Sequence, residues 1–109
     1  MTEAEYEAVA VPELQALVRA LDALELPGME AELASDILTI EFDDGARFVV
    51  NSHRAARQIW MAAELRAWHF DWIADRAAWI ATKSGDELWA TLEGALARRL
   101  ERPVKLAKG

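Results

Sequence analysis

The hydrophobic period of this chain changes twice along its length, and nothing else in the sequence limits the fold as much. Between Tyr6 and Leu24, apolar residues recur at three- and four-residue spacing: Tyr6, Val9, Ala10, Leu14, Leu17, Val18, Leu21 and Leu24. One buried helical stripe requires that spacing. Thr2 and Glu5 stand ahead of it as a capping-box pair. Pro12 removes the amide that would bond the Ala8 carbonyl. The spacing therefore predicts either a kink there or a short first turn and a restart with Pro12 at the first helical position. Pro27-Gly28 ends the helical region.

The period then drops to two. Leu38, Ile40 and Phe42 share one face of a strand, and Thr39 and Glu41 share the other. Asp44-Gly45 predicts a type I′ hairpin turn, since glycine accepts positive φ without strain. Further strands are expected over residues 47–51, 58–62, 68–73 and 78–81, with residues 29–33 supplying the first. Helical spacing returns in Leu88, Leu92, Ala95, Leu96 and Leu100, with Ser84 and Glu87 as a second capping-box pair and Pro103 as the stop. Arg98, Arg99 and Arg102 lie at the end of this helix, where cations suit its dipole. Helix, about six strands and helix predict an α/β two-layer sandwich, with the N- and C-terminal helices packed on one face of a largely antiparallel sheet. At 109 residues the chain, 1–109, is expected to form a single domain.

Composition narrows the function. There is no cysteine, which excludes disulfides, thiolate metal sites and cysteine nucleophiles. The net charge of −7 argues against a nucleic-acid partner, whose phosphates need Lys and Arg. Residues 1–44 hold twelve acids and one base, Arg19, whereas residues 45–109 hold seven acids and eleven bases. The acidity therefore lies wholly in the first two-fifths of the chain. No apolar run has the ~20 residues a membrane helix needs. The acidic start, Thr2-Glu3-Ala4-Glu5, is unlike a secretory signal. No membrane association and a cytoplasmic location are expected.

Alternation also assigns an outer face. With Phe48, Val50, Ile59, Met61, Trp68, Phe70 and Trp72 inward, Asn51, Gln58, Trp60 and His69 point outward, together with Asp71. A tryptophan exposed among polar groups is a usual protein-binding hot spot.

The chain resembles the frataxin family, in its bacterial CyaY branch. The likeness runs over essentially the whole sequence and rests on an ordered set: Leu38-Thr39-Ile40 with Phe42, Asp44-Gly45, Asn51, Gln58-Ile59-Trp60, His69-Phe70-Asp71, Trp79 and Ser84-Gly85. The resemblance implies a frataxin-like helix–sheet–helix domain that serves iron–sulfur cluster assembly and is not an enzyme. It implies an acidic ridge that holds iron weakly and docks on a cysteine desulfurase. Positions on that ridge still acidic here are Asp22, Glu25, Glu30 and Glu32. It also implies that Asn51, Gln58 and Trp60 meet the complex of desulfurase and scaffold protein. The chain departs from the pattern at Val18 and Arg19, where relatives carry an acidic pair, at Leu24 and Leu26, and at His53 and Ala55.

The residues fit that chemistry. Carboxylates are hard oxygen donors suited to high-spin iron, and exposed ones would hold a largely hydrated cation loosely. A metal-independent acidic docking module using the Trp60 face is the alternative. Catalysis is not expected: His53 falls in a loop after Asn51, and His69 has no nucleophile or orienting carboxylate near it in sequence. A monomer is the expected state, with iron-driven oligomers open to it.

Overall fold

The computed structural model describes residues 1–108. The first amphipathic segment folds as α1, Glu3–Ala23, and its cap is the one expected: the Thr2 hydroxyl accepts from the Glu5 amide at 3.1 Å, and the Thr2 amide donates to Glu5 Oε1 at 2.7 Å. Pro12 neither ends nor restarts the helix, which runs unbroken through it. Ala8 is exposed, so water can take up the carbonyl that Pro12 leaves without a donor. The chain leaves the helix through Glu25, which adopts a left-handed φ of 48°.

Seven strands follow: β1 (Met29–Ala34), β2 (Ile37–Phe42), β3 (Arg47–His53), β4 (Gln58–Ala63), β5 (Arg66–Ile73), β6 (Ala78–Ala81) and β7 (Asp86–Glu87). They form one antiparallel sheet whose spatial order is the chain order. The expected sheet of about six strands gains β7, a two-residue strand too short to carry a period of its own. The second helix, α2, spans Leu88–Leu100. Its cap differs from expectation. Glu87, not Ser84, is the N-cap, and its own carboxylate accepts from the Trp89 and Ala90 amides at 2.8 and 3.1 Å. Ser84 instead bonds the Asp86 carboxylate across the preceding turn at 2.9 Å.

The Asp44-Gly45 turn also differs. Only Gly45 has positive φ, at 87°, and its amide bonds the Phe42 carbonyl at 2.9 Å. The loop is three residues long and closes through a glycine bulge. The type I′ signature, positive φ at both central residues, belongs to Ser35-Asp36 and Glu64-Leu65, neither pair containing glycine.

Tyr6, Ala10, Leu14, Leu17 and Leu21 of α1 and Leu88, Leu92, Ala95 and Leu96 of α2 bury against Leu38, Ile40, Val50, Ile59, Met61, Phe70 and Trp79 of the sheet. Each fully buried Leu or Ile contributes about 1.5–3 kcal/mol. Glu13 is buried among them at 8% exposure, accepting from Trp89 Nε1 at 2.8 Å and pairing with Lys108 at 3.2 Å. The C-terminal segment thereby joins the two helices, and Leu106 is buried with its amide bonded to Glu93 at 2.7 Å. The helices and this segment occupy one side. The other face of the sheet is left bare.

Candidate functional site

On the bare face the register sets Asn51 opposite Trp60 and Trp60 opposite His69. Three expected site residues thus form one row across β3, β4 and β5. Gln58 begins β4 opposite both His53 and Asp71. The alternation reading of the outer face is correct, and each of its inward partners except Trp72, which is half-buried, lies in the buried core.

The Trp60 ring is stacked on both sides. The His53 ring lies 3.8 Å from it and the His69 ring 4.2 Å, each within 13° of parallel. Its edge is fixed as well: Trp60 Nε1 donates to Gln58 Oε1 at 2.7 Å, and Gln58 Nε2 donates to Asp71 Oδ1 at 3.0 Å. Thr82 reaches the second Asp71 oxygen at 3.4 Å. A ring clamped in this way loses little side-chain freedom when a partner covers it.

Asp71 lies on the outer face, as alternation predicts, whereas His53 was not expected in this cluster. His53 closes β3 instead of lying in a loop, and its Nδ1 accepts from the Ala56 amide at 3.3 Å. Its diagonal position relative to Trp60, two residues off the direct pair, could have signalled the contact.

The cluster is anchored from beneath. The Tyr6 hydroxyl donates to the Gln58 carbonyl at 2.6 Å and accepts from Ser52 at 2.6 Å. Burial holds that hydroxyl above the ordinary phenol range. In the β3–β4 turn, Arg54 pairs with Asp36 at 2.6 Å and with Glu7, and the Asp36 hydrogen bond raises its affinity for its proton. The turn that carries His53 and Gln58 is therefore tied to α1 and to the β1–β2 turn.

The four expected ridge acids lie elsewhere. Asp22 is near the end of α1, Glu25 in the connection, and Glu30 and Glu32 on the outward side of β1; all four are exposed. They line one open hollow of about 570 Å³ together with Leu21, Leu26 and Glu41. Glu30 stands opposite Glu41, whose charge is met by Arg47 at 3.1 Å. Sharing a hollow does not make them a ligand set: among the described residues, no three His, Asp or Glu side chains converge closely enough to hold a metal ion. Their hard oxygens suit a hydrated cation held by one or two carboxylates at a time.

A two-layer α/β sandwich whose ordered polar groups lie on a bare sheet face, not in a cleft, is the class of protein that fold and site define. The chain belongs to the frataxin-like family, whose domain model matches residues 1–102. It is 30% identical to the iron-sulfur cluster assembly protein CyaY of Thioalkalivibrio sulfidiphilus, over 97% of this chain and 100% of that one. It is 32% identical to the protein of the same name from Ralstonia nicotianae, over 97% of this chain and 95% of that one. Among solved structures, frataxin from Psychromonas ingrahamii superposes with a TM-score of 0.87 at 21% identity, covering 98% of this chain and 99% of that chain. No helix among the described residues is long and apolar enough to cross a membrane.

Proposed function

We propose that this protein is a non-enzymatic, cytoplasmic accessory and regulator of iron–sulfur cluster assembly. It docks on the complex of cysteine desulfurase and scaffold protein and offers weakly held iron. Relatives named for iron–sulfur cluster assembly cover nearly the whole chain, which supports the pathway. The observation that carries the docking role is the clamped Trp60 row. A large aromatic is displayed at the surface, flanked by Asn51, Gln58 and His69, with its conformational freedom already removed. Binding of the desulfurase–scaffold complex to wild type and to Trp60→Ala tests it. Loss of binding is the expected result, and equal affinity would sink the role given to this face.

For iron, Asp22, Glu25, Glu30 and Glu32 supply the donors. Exposed carboxylates exchange their ligands readily, which suits delivery better than storage. Anaerobic titration of labelled protein with ferrous ion should broaden amide signals around these four residues first. An unchanged spectrum at saturating iron would remove the iron role. The scattered placement of the four acids favours a second reading, metal-independent docking through acidic edge and Trp60 face together. In that case chelators leave complex formation unaltered.

A further inference from the structure

The sheet has two edges, and they differ in what they leave free. Strand β7 is two residues long and runs directly into α2. Strand β1 has six residues and no proline, and among the described residues it has no neighbour on its outer side. The turn at Ser35-Asp36 determines which backbone groups face that side. Its flanking residues, Ala34 and Ile37, are the hydrogen-bonded pair of a two-residue hairpin. Alternation makes Glu32–Thr39 and Glu30–Glu41 the next such pairs. The bond from the Asp43 amide to the Gly28 carbonyl, 3.1 Å, keeps the same phase. The N–H and C=O groups of Met29, Ala31 and Leu33 therefore point out of the sheet. Among the described residues, no turn or cap bond engages them.

The hollow described above wraps this strand. Leu21, Leu26 and Met29 line it on the helix side, and Glu30, Glu32 and Glu41 on the outer side. Arg47, the cation among the described residues that line it, is already held by Glu41. Charge then selects the occupant. A second copy adding through its own β1 would bring two Glu30–Glu32 pairs together, and like charges opposite each other across strands are destabilising. The same glutamates attract a basic strand.

The geometry points to strand addition: an extended, lysine- or arginine-bearing segment of a partner protein pairs with β1 as an eighth strand. Its main chain bonds Met29, Ala31 and Leu33, and its outward basic side chains meet Glu30 and Glu32. This rests on the docking role proposed for the acidic edge and supplies its recognition chemistry, main-chain bonds giving the register and carboxylates choosing the charge.

The probe is a capped hexapeptide alternating lysine and valine, added to the full labelled chain. At a peptide concentration about ten times Kd, the Ala31 and Leu33 amides should exchange with solvent about tenfold more slowly. The Glu30 and Glu32 amides, already bonded to β2, should not change. Methylating the peptide nitrogens on its bonding edge should abolish that protection. Glu30→Gln with Glu32→Gln should weaken binding about tenfold. Binding that survives methylation, or that leaves Ala31 and Leu33 unprotected, overturns strand addition. Titration with the cysteine desulfurase separates the two claims. Charge-dependent binding without protection of Ala31 and Leu33 sinks strand addition alone, and no binding sinks the docking role with it.

Discussion

Around Trp60 the indole, Gln58 and Asp71 hold one another in a chain, whereas along the acidic edge hardly any side chain is so held. The indole lies between two imidazoles, its N–H is bound by Gln58, Gln58 by Asp71, and Asp71 by Thr82. Asp22, Glu25, Glu30 and Glu32 stand in solvent, with Glu30 facing another acid. The first arrangement has little entropy to lose on contact and, in the docking role proposed for it, would recognise shape. The second would act through summed charge, which salt weakens and which tolerates single losses. One molecule thus carries a precise face and a forgiving edge on the same sheet, and substitutions should separate them.

The largest effect is expected at the ring itself. Trp60→Ala should cost at least about 2 kcal/mol of partner affinity, near thirtyfold, as hot-spot truncations do. Calorimetry with the desulfurase–scaffold complex measures it, and thermal stability should hold because Trp60 lies outside the buried core. Tyr6→Phe comes next. It removes the donor to the Gln58 carbonyl and should cost about 1–2 kcal/mol of stability in urea unfolding. Because burial raises the Tyr6 hydroxyl above its ordinary value of 10.0, the native state keeps this proton longer than the unfolded chain. That contribution is present below about pH 10 and is lost as pH rises further. Tyr6 is the only tyrosine in the chain, so ultraviolet absorbance follows its titration alone.

A smaller change tests whether the clamp matters as a clamp. Asp71→Ala frees Gln58 and should weaken docking by about 1 kcal/mol, one hydrogen bond's worth, without altering the sheet. Equal affinity would show that stacking alone orients the ring. The smallest effects belong to the edge. Glu30→Gln should leave stability within about 0.5 kcal/mol, or raise it slightly by relieving Glu41. Its effect on docking should vanish in high salt, where that of Trp60→Ala persists. Acid should act gently at the β2–β3 and β4–β5 turns. The Arg98 hydrogen bond lowers Glu64 and the Arg99 hydrogen bond lowers Asp44 below their ordinary 4.5 and 3.8. These exposed pairs contribute above those values and are lost as pH falls below them, so melting at stepped pH should decline only modestly from this source.

The period of the hydrophobic residues made most of this architecture legible. Phe48 and Val50, or Ile59 and Met61, could only point inward together, and Trp60 had to point outward with Asn51 and His69. Whatever does not repeat was harder to see. Asp86–Glu87 is too short for alternation to register. Both Ser84 and Glu87 can cap a helix, and the choice fell to the strand pairing that sets Glu87 opposite Ile80. The positive φ of Ser35, Asp36, Glu64 and Leu65 is imposed by strand pairing on residues that do not advertise it, while Gly45 advertised a tighter turn than it makes. The diagonal placement of His53 beside Trp60 follows from the register of the hairpin, but the stacking of the two rings also depends on side-chain rotamers, which spacing does not contain. The ridge acids were recognisable as a set, but their separation depends on where the chain turns at Glu25.

Strand order that follows chain order has a kinetic meaning. Every strand pairing closes a loop of only two to four residues. Such loops cost little entropy to close and form in microseconds. The sheet can therefore zip outward from any hairpin. The contacts that must wait are those spanning the chain, Tyr6 to Gln58 and Glu13 to Trp89, separated by 52 and 76 residues. Docking of the two helices is thus the expected slow step, and the hydroxyl that braces the Trp60 row belongs to the part of the molecule that arrives last.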